Sequence, residues 1–429
     1  MALTRFRGRN DSVMAFPEGF LWGTGASSTQ TEGAPAAGDW AAWEQAGRAP
    51  RSGDGNGFAT RYAEDAELWR GLGLVHHRLS LPWARIEPRP GRFDQAEVER
   101  YRQMLTELAD AGILTWACLH HFTVPGWFVD EGGFADERAA GRYWPAWVDR
   151  AAQAFGDLIH GWKPINEPVA YATIGWLDGS CPPGRQDFVT FLEVLRLIHL
   201  ADRDARRELR GSGQPIASVV NLSPVSAVDD SAEAAEWARL VDDVVWGIAL
   251  RLERDGVLAI PGSEPVELAG PGRQEDLVGF SYYSGLAVDG RGVFHPTPKG
   301  AAVSPLGYGI WPGGLEAVLE RLADELPGRK LLVSELGLGT TDDRERVRYL
   351  AETLRIVESA LGGGIDVAGV FLWCGVDNYE WTHGWSVPFG VIDRERRPKP
   401  SARLVADTIR DGRVPRDVEP YLEPDAAPG

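Results

Sequence analysis

The feature that most constrains the fold of this chain is a repeated alternation of short apolar runs with longer amphipathic stretches. Eight runs, rich in β-branched and aromatic residues, have the length of strands: Phe20–Ala26, Val75–Leu81, Leu114–His121, Gly161–Asn166, Ile216–Asn221, Leu277–Tyr283, Lys330–Glu335 and Val367–Cys374. Alternating strands and helices favour a parallel sheet with helical crossovers. Eight such units predict an α/β fold of the closed (β/α)8 TIM barrel type rather than an open sheet.

The stretches between the runs carry apolar residues at helical spacing. They are Gly57–Leu72, Asp94–Ala111, Trp144–Leu158, Phe188–Arg210, Ala232–Arg254, Gly314–Leu326 and Asp343–Leu361. No GxGxxG motif follows a strand, which argues against a dinucleotide-binding fold. No linker or low-complexity stretch divides the 429 residues. We therefore expect one barrel domain over residues 15–413, a disordered leader over 1–14 and an irregular tail over 414–429.

Composition narrows the classes of partner. With 44 Lys and Arg against 62 Asp and Glu, the net charge is −18, which disfavours nucleic acid and anionic membranes as partners. The three cysteines, Cys118, Cys181 and Cys374, lie far apart and form no CxxC pair. This usage, with no secretory signal and no apolar run of about 20 residues, predicts a cytoplasmic protein without a membrane span. Neither a metal site nor a cofactor is predicted, and a monomer and a homo-oligomer both remain open.

Polar and aromatic side chains stand at the predicted C-terminal ends of the strands, where barrel enzymes place their chemistry. These are Arg78, His120, His121, Asn166, Glu167, Tyr282, Tyr283, Glu335 and Trp373. Because side chains alternate along a strand, we assign His121 to the barrel interior and His120 to the helix layer. Two carboxyl groups, one protonated and one ionised, can cleave a glycosidic bond with retained stereochemistry. Glu167 and Glu335 are the candidates for this pair.

At these positions the sequence resembles glycoside hydrolase family 1, the β-glucosidase-like retaining enzymes. The resemblance rests on the opening segment FPEGFLWGTGASSTQTEG at 16–33, His121-Phe122, Asn166-Glu167-Pro168, Ser334-Glu335, and the segment from Trp373 through Glu380-Trp381 to Phe389-Gly390. These motifs follow in family order and cover nearly the whole chain. The resemblance implies an exo-β-glycosidase that hydrolyses terminal β-D-glycosyl residues of small O-glycosides through a covalent glycosyl-enzyme.

The resemblance also implies a role for each matching residue. Glu167 would be the general acid and base, and Glu335 the nucleophile. Sugar hydroxyls would be bound by Gln30, His121, Asn166, Glu380 and Trp381, with Trp373 as the floor of the sugar site, Phe389 as part of its wall, and Arg78 and Tyr283 beside the nucleophile. The physical chemistry agrees, because a cation near Glu335 favours its carboxylate form, and that charge favours the protonated form of Glu167.

Several positions next to these motifs depart from the family pattern. Pro164 stands where the family usually has Thr, Ser281 and Leu336 where it has Asn, Cys374 where it has Ser and Pro388 where it has Arg. The changes at Pro164, Ser281 and Leu336 remove hydrogen-bonding capacity next to the candidate catalytic side chains. They leave two alternatives open beside hydrolysis: a transglycosidase or natural-product deglycosylase using the same site, and a catalytically silent sugar-binding protein. Trp311 resembles a family segment at the site entrance, with a structural role equally open.

Overall fold

The barrel prediction is confirmed. The computed structural model describes residues 16–268 and 276–423. Within them, eight parallel strands form one sheet: β1 (Leu21–Gly25), β2 (His76–Ser80), β3 (Leu114–His120), β4 (Gly161–Ile165), β5 (Val220–Asn221), β6 (Val278–Tyr282), β7 (Leu331–Leu336) and β8 (Val367–Trp373). Their order is β4-β3-β2-β1-β8-β7-β6-β5. Each strand lies within a residue or two of its predicted run except β5.

The fifth strand differs because it closes the barrel irregularly. Only Val220–Asn221 is regular strand, although the sequence predicts a strand from Ile216. Ile216 instead forms an isolated parallel bridge with Trp162 of β4. The Ala217 N–H donates to the Trp162 carbonyl at 2.9 Å, and the Trp162 N–H donates to the Pro215 carbonyl at 2.9 Å. These bonds join the two edge strands, so the sheet closes on itself.

Helices cover the outer face of the sheet. They span Ser28–Glu32, Asp39–Gln45, Phe58–Gly71, Trp83–Ile86, Gln95–Asp110, Gly126–Asp130, Glu137–Phe155, Pro168–Ala172, Phe188–Leu209, Ala232–Asp242, Ile248–Asp255, Gly314–Glu325, Asp343–Gly362 and Pro400–Asp411. The predicted helix at Trp144 begins earlier, at Glu137, because Asp136 caps the N–H groups of Arg138 and Ala139. The predicted helix 232–254 is divided by a π-helical turn, Asp243–Gly247.

Large aromatic side chains fill the space inside the barrel and between strands and helices. Trp144, Trp147 and Trp162 are at most 1% exposed, as expected for core residues. Inside the barrel, Trp116, Leu332 and Phe371 pack in one cluster toward the N-terminal ends of the strands. Because this layer fills the N-terminal end of the barrel, a functional site is expected at the opposite, C-terminal end.

Additional short strands and the chain ends complete the described structure. Val225–Ala227, Leu286–Val288 and Phe294–His295 form a three-stranded sheet, and Val257–Leu258 pairs with Val266–Glu267. The expected leader lies outside the described residues, as do residues 424–429 of the tail. The rest of the tail is irregular apart from the turn Glu419–Tyr421, with Val414 and Leu422 buried. Within the described ranges, no helix has the length and apolar character to cross a membrane.

Candidate active site

A β-bulge near the end of β7 aims Glu335 into the barrel. The pairing of β7 with β6 passes from Val333↔Phe280 to Glu335↔Ser281, which leaves Ser334 as an extra residue. Bulges of this kind re-aim side chains beside active sites. Glu335 is 3% exposed, and its carboxylate meets side chains from other strands.

Both oxygens of the Glu335 carboxylate have strong donors. The Arg78 guanidinium, from β2, forms an ion pair with Oε1. The Tyr283 hydroxyl donates to Oε2 at 2.6 Å. A positive charge and a hydrogen bond to the charged form both favour an ionised carboxylate. Glu335 is therefore held as an anion in a fixed orientation.

Arg78 connects this carboxylate to the third and fourth strands. Its Nη1 donates to Asn166 Oδ1 at 2.9 Å and lies 3.0 Å from His121 Nδ1. Burial, and secondarily the charge of Arg78, lower the pKa of His121 well below its ordinary value. His121 is thus a neutral imidazole that accepts from Arg78 at Nδ1 and keeps its other nitrogen as a donor.

Glu167 stands at the turn between β4 and the helix Pro168–Ala172. Its φ of 46° is in the left-handed region, which costs energy for a residue with a Cβ and recurs at functional sites. Its N–H donates to the Val219 carbonyl at 2.8 Å, which anchors the turn beside β5. Burial raises the pKa of the Glu167 carboxyl, while Ser281, the charge of Arg78 and Asn221 act in the opposite direction. The carboxyl therefore retains its proton more readily than an exposed glutamate.

Glu335, Arg78, His121, Asn166 and Glu167 line a cavity at the C-terminal end of the barrel, which we call the cup. Gln30 and Glu380 form a second polar group in it. Gln30 Nε2 donates to Glu380 Oε2 at 3.1 Å and to the Tyr379 carbonyl at 2.9 Å. The Ser27 hydroxyl donates to Gln30 Oε1 at 2.7 Å, which sets the orientation of the amide. Burial raises the pKa of Glu380 to about 8, Gln30 opposes the shift, and the charge of Glu167 adds to it. Both side chains present groups suited to sugar hydroxyls.

Aromatic rings form the remaining surface of the cup. The His121 and Trp373 rings are stacked, with centroids 5.4 Å apart and planes 6° apart. Trp381 is nearly parallel to His121 at 6.1 Å, and Phe389 meets Tyr283 edge-on at 6.0 Å. Flat apolar faces beside polar donors suit a sugar ring, which has C–H and O–H groups on different sides.

The structure therefore brings all the candidate residues of the sequence analysis to one end of the barrel. His120 lies outside, against Phe134 and Tyr171, as the alternation along β3 predicts. The described residues contain no group of three His, Cys, Asp or Glu side chains that could hold a metal ion. One ionised and one proton-retaining carboxyl in the same cup is the combination that cleaves glycosidic bonds.

Two residues of the site were not found from the sequence. Asn221 of β5 lies near Glu167 and affects its pKa. Tyr308 is 49% exposed, and desolvation of its hydroxyl, followed by the charges of Glu167 and Glu380, raises its pKa to about 12. Asn221 ends the predicted fifth strand, so its position at a strand end was an available signal, whereas no pattern marks Tyr308, which lies in an irregular connection. Trp311 packs near Tyr282, and its backbone carbonyl accepts a hydrogen bond from the Tyr282 hydroxyl.

Comparisons with known proteins agree with this geometry. The model of the family described as "Glycosyl hydrolase family 1" matches residues 12–243 and 292–412. The thermostable β-glucosidase B of Thermobispora bispora is 30% identical over 92% of this chain and 91% of its own length. The β-glucosidase A of Thermotoga maritima is 27% identical over 89% and 93%. A β-glycosidase structure from Pyrococcus horikoshii superposes with a TM-score of 0.86 at 27% identity, covering 96% and 98%.

Proposed function

The chain belongs to glycosyl hydrolase family 1 and is a glycoside hydrolase of the β-glycosidase kind, and from that premise we propose that it is a retaining exo-β-glycosidase acting on terminal β-D-glucosyl residues of O-glycosides. One observation carries the mechanism. Glu335 is fixed as an anion by Arg78 and Tyr283, while the buried Glu167 carboxyl shares the same cup with its pKa raised. Retention requires two carboxyl groups about 5–5.5 Å apart.

The first step forms a covalent intermediate. A Glu335 oxygen attacks the anomeric carbon and forms an ester bond as the glycosidic C–O bond breaks. The Glu167 carboxyl gives its proton to the leaving oxygen, so the aglycone departs as a neutral alcohol. Asn166 and His121 would bind hydroxyls of the sugar, and their hydrogen bonds to Arg78 support this part of the proposal.

The second step returns the enzyme to its starting state. Esterification removes the negative charge of Glu335, and Glu167 is now ionised and acts as a base. It takes a proton from water as the water oxygen attacks the anomeric carbon, and Glu335 leaves as a carboxylate. Two inversions give a product with the stereochemistry of the substrate.

Substitution of each carboxyl group tests the two roles. Glu335→Gln is expected to abolish hydrolysis of every β-glucoside. Glu167→Gln should lose activity on alkyl glucosides but keep the first step for dinitrophenyl glucoside, whose leaving group needs no proton. The exposed Glu395→Gln serves as a control with unchanged activity. Full activity in Glu335→Gln would refute the proposal.

The stereochemistry and the covalent intermediate can be observed directly. Proton NMR of the first-formed sugar should show the β-anomer, and an initial α-anomer would refute retention. Mass spectrometry after treatment with a 2-fluoro glucoside should find the label on Glu335. Labelling also excludes the alternative of a silent sugar-binding protein, and rates with added alcohol acceptors separate hydrolysis from transfer.

A cytoplasmic location is part of the proposal. Cys118 and Cys374 are buried and Cys181 is partly buried, and all three are free thiols. Unpaired cysteines support a reducing compartment. Fractionation of the source cells tests this location, and we expect the activity in the cytosolic fraction.

A further inference from the structure

Phe389, a candidate wall residue of the sugar site, packs directly on the loop that follows Glu335. A Cβ at Gly339 would lie 2.7 Å from Phe389 Cε2, and a Cβ at Gly337 would lie 3.3 Å from Phe389 Cδ1. Glycine at both positions lets the ring approach the backbone this closely. The same ring meets Tyr283, which donates to Glu335, with centroids 6.0 Å apart. The position of Phe389 therefore affects both the proposed sugar wall and a partner of Glu335.

The carbonyl of Pro388 is a point where two donors meet. It accepts from the Arg346 guanidinium at 2.8 Å and from the Thr340 N–H at 3.0 Å. Both donors belong to the chain that follows β7, whereas Pro388 directly precedes Phe389. Because proline has no N–H and a restricted φ, this residue offers its carbonyl as its only backbone polar group. These two bonds therefore connect the Phe389 segment to the loop after Glu335.

The residue after Phe389 is held by different partners. Asp377 Oδ1 accepts from the Gly390 N–H at 2.7 Å, and Lys399 Nζ donates to the Gly390 carbonyl at 2.8 Å. Lys399 and Asp377 also form an ion pair at 2.8 Å. All of these residues follow β8, so their contacts stabilise the segment itself and do not connect it to the loop after Glu335.

Arg346 joins the two segments with a single guanidinium. It stands near the start of the helix Asp343–Gly362 and is 2% exposed. Its Nη2 donates to the Thr340 carbonyl at 2.6 Å and to the Pro388 carbonyl at 2.8 Å, while Nη1 forms an ion pair with Asp343. A planar group with several fixed donors can hold two carbonyls and a carboxylate at once, and a lysine ammonium cannot reproduce this geometry.

We propose that Arg346 is a positioning residue for the sugar site, which keeps the Phe389 ring against the loop after Glu335 and thereby sets how tightly the glycosyl residue is bound. The inference rests on the proposed function and deepens it. Arg346 acts through Phe389 and not by contact with the sugar. A wall contact is made in the ground state and in the transition state alike, so its loss raises KM and leaves kcat nearly unchanged.

Steady-state kinetics of Arg346→Met and Arg346→Lys with 4-nitrophenyl β-glucoside test this inference. In Arg346→Met, KM is expected to rise about tenfold while kcat stays within about threefold of the parent enzyme. Arg346→Lys keeps a charge beside Asp343 but loses part of the carbonyl contacts, so KM should rise less, by about threefold. An unchanged KM in Arg346→Met would overturn the proposal.

A double-mutant cycle with Phe389→Ala separates positioning from a general loss of packing. Phe389→Ala should raise KM by itself. Adding Arg346→Met to it should change KM by less than about twofold, because the ring to be positioned is already absent. If the effects of the two substitutions multiply instead, Arg346 does not act through Phe389 and the proposal fails.

Arg355→Met is the matched control. Arg355 stands on the same helix, and its Nη2 donates to the Pro415 carbonyl of the C-terminal tail at 2.7 Å. This variant should lower the free energy of unfolding without changing KM, and a rise in KM equal to that of Arg346→Met would contradict the proposal. If Arg346→Met fails to fold, Arg346→Lys decides by the same comparison.

Failure of the proposed function would appear separately, as full activity of Glu335→Gln. Failure of the role of Arg346 alone would leave Glu335→Gln inactive and the KM of both Arg346 variants at the parent value.

Discussion

Arg78 is the residue on which the largest number of contacts in the site depends. Its guanidinium is completely buried and contacts side chains from three other strands and their ends, namely Glu335, Asn166 and His121. A planar group with several fixed donors suits this arrangement, and a lysine could not reproduce it. The orientation of the Glu335 carboxylate thus depends on a network of contacts and not on one neighbour.

Tyr283 offers a cleaner single-residue test of that network. Tyr283→Phe removes the 2.6 Å hydrogen bond to Glu335 Oε2 and keeps the ring against Phe389. Hydrogen bonds to charged groups contribute about 1.5–3 kcal/mol, so kcat/KM should fall roughly 10- to 100-fold. Kinetics with an aryl glucoside measure the loss. A change below about twofold would mean that the Tyr283 hydroxyl does not contribute to the proposed role of Glu335.

The raised pKa of Glu380 predicts that the free energy of unfolding depends on pH. Its pKa rises from 4.5 to about 8 on folding, so the folded state favours its protonated form. The resulting stabilisation is complete below pH 4.5 and is lost as pH rises through 8. Glu380→Gln should therefore gain in free energy of unfolding relative to the parent as pH increases from 5 to 8.5.

Urea unfolding at the two pH values measures this difference. Glu395→Gln, which removes a carboxyl group at an exposed position, provides the control, and the difference found for Glu380→Gln should exceed the difference found for this variant. An equal difference between Glu380→Gln and the parent at pH 5 and at pH 8.5 would contradict the assignment of the shift to Glu380.

At the scale of elements, the ends of strands and helices determine what the site contains. The bulge in β7 turns Glu335 inward, and the left-handed turn at Glu167 ends β4 beside β5. Helix starts are set by caps, because Asp94, Asp136 and Asp187 each accept from two N–H groups of the first turn. Local hydrogen bonding thus sets the positions at which strands and helices begin and end.

The cap at Asp136 gives a prediction that separates stability from activity. Its carboxylate accepts from the Arg138 and Ala139 N–H groups at 2.9 and 2.8 Å. Asp136→Ala should lower the free energy of unfolding by about 1 kcal/mol, while Asp136→Asn, which retains the cap, should cost much less. Chemical unfolding measures both, with kcat/KM unchanged. Equal losses in the two variants would rule out capping as the cause.

At the scale of the whole molecule, a buried ion pair joins the beginning and end of the barrel. Asp65, on the helix Phe58–Gly71, pairs with Arg396 at 2.7 Å, and both side chains are 1% exposed. Arg396 also donates to the Asn56 carbonyl at 2.7 Å. The pair ties the connection after β1 to the segment after β8, beside the seam where these two strands meet.

Breaking this pair should destabilise the entire fold. Asp65→Ala leaves Arg396 buried without its counter-ion, which costs about 3–5 kcal/mol. The neighbouring Glu64→Ala breaks an exposed pair with Arg61 and should cost less than about 1 kcal/mol. Urea unfolding compares the two. Similar losses in both variants would show that burial of the pair adds nothing.

Much of this molecule could be predicted from local patterns. Short apolar runs and helical periodicity located seven of the eight strands closely, and the polar residues at the strand ends indicated Glu167 and Glu335 as the candidate pair. The predicted bounds of the fifth strand were wrong because its pairing partners, Trp162 and Phe280, are distant in sequence and its regular part has two residues. Tyr308 was missed because no periodicity governs the irregular segment that carries it, whereas Asn221 stands at the end of the predicted fifth strand and its neighbours are set only by the tertiary structure.

The sequence alone determined the succession of strands and helices and the chemistry available at the strand ends, because burial of apolar runs and periodicity are local properties. Only the tertiary structure decided which groups meet. The register Asn221–Ser281–Glu335, the bulge before Glu335 and the contacts of Arg78 depend on pairing between residues far apart in the chain. The proton affinity of each carboxyl group follows from those contacts and from burial, so the proposed division of roles between Glu167 and Glu335 has a physical basis only in the closed barrel.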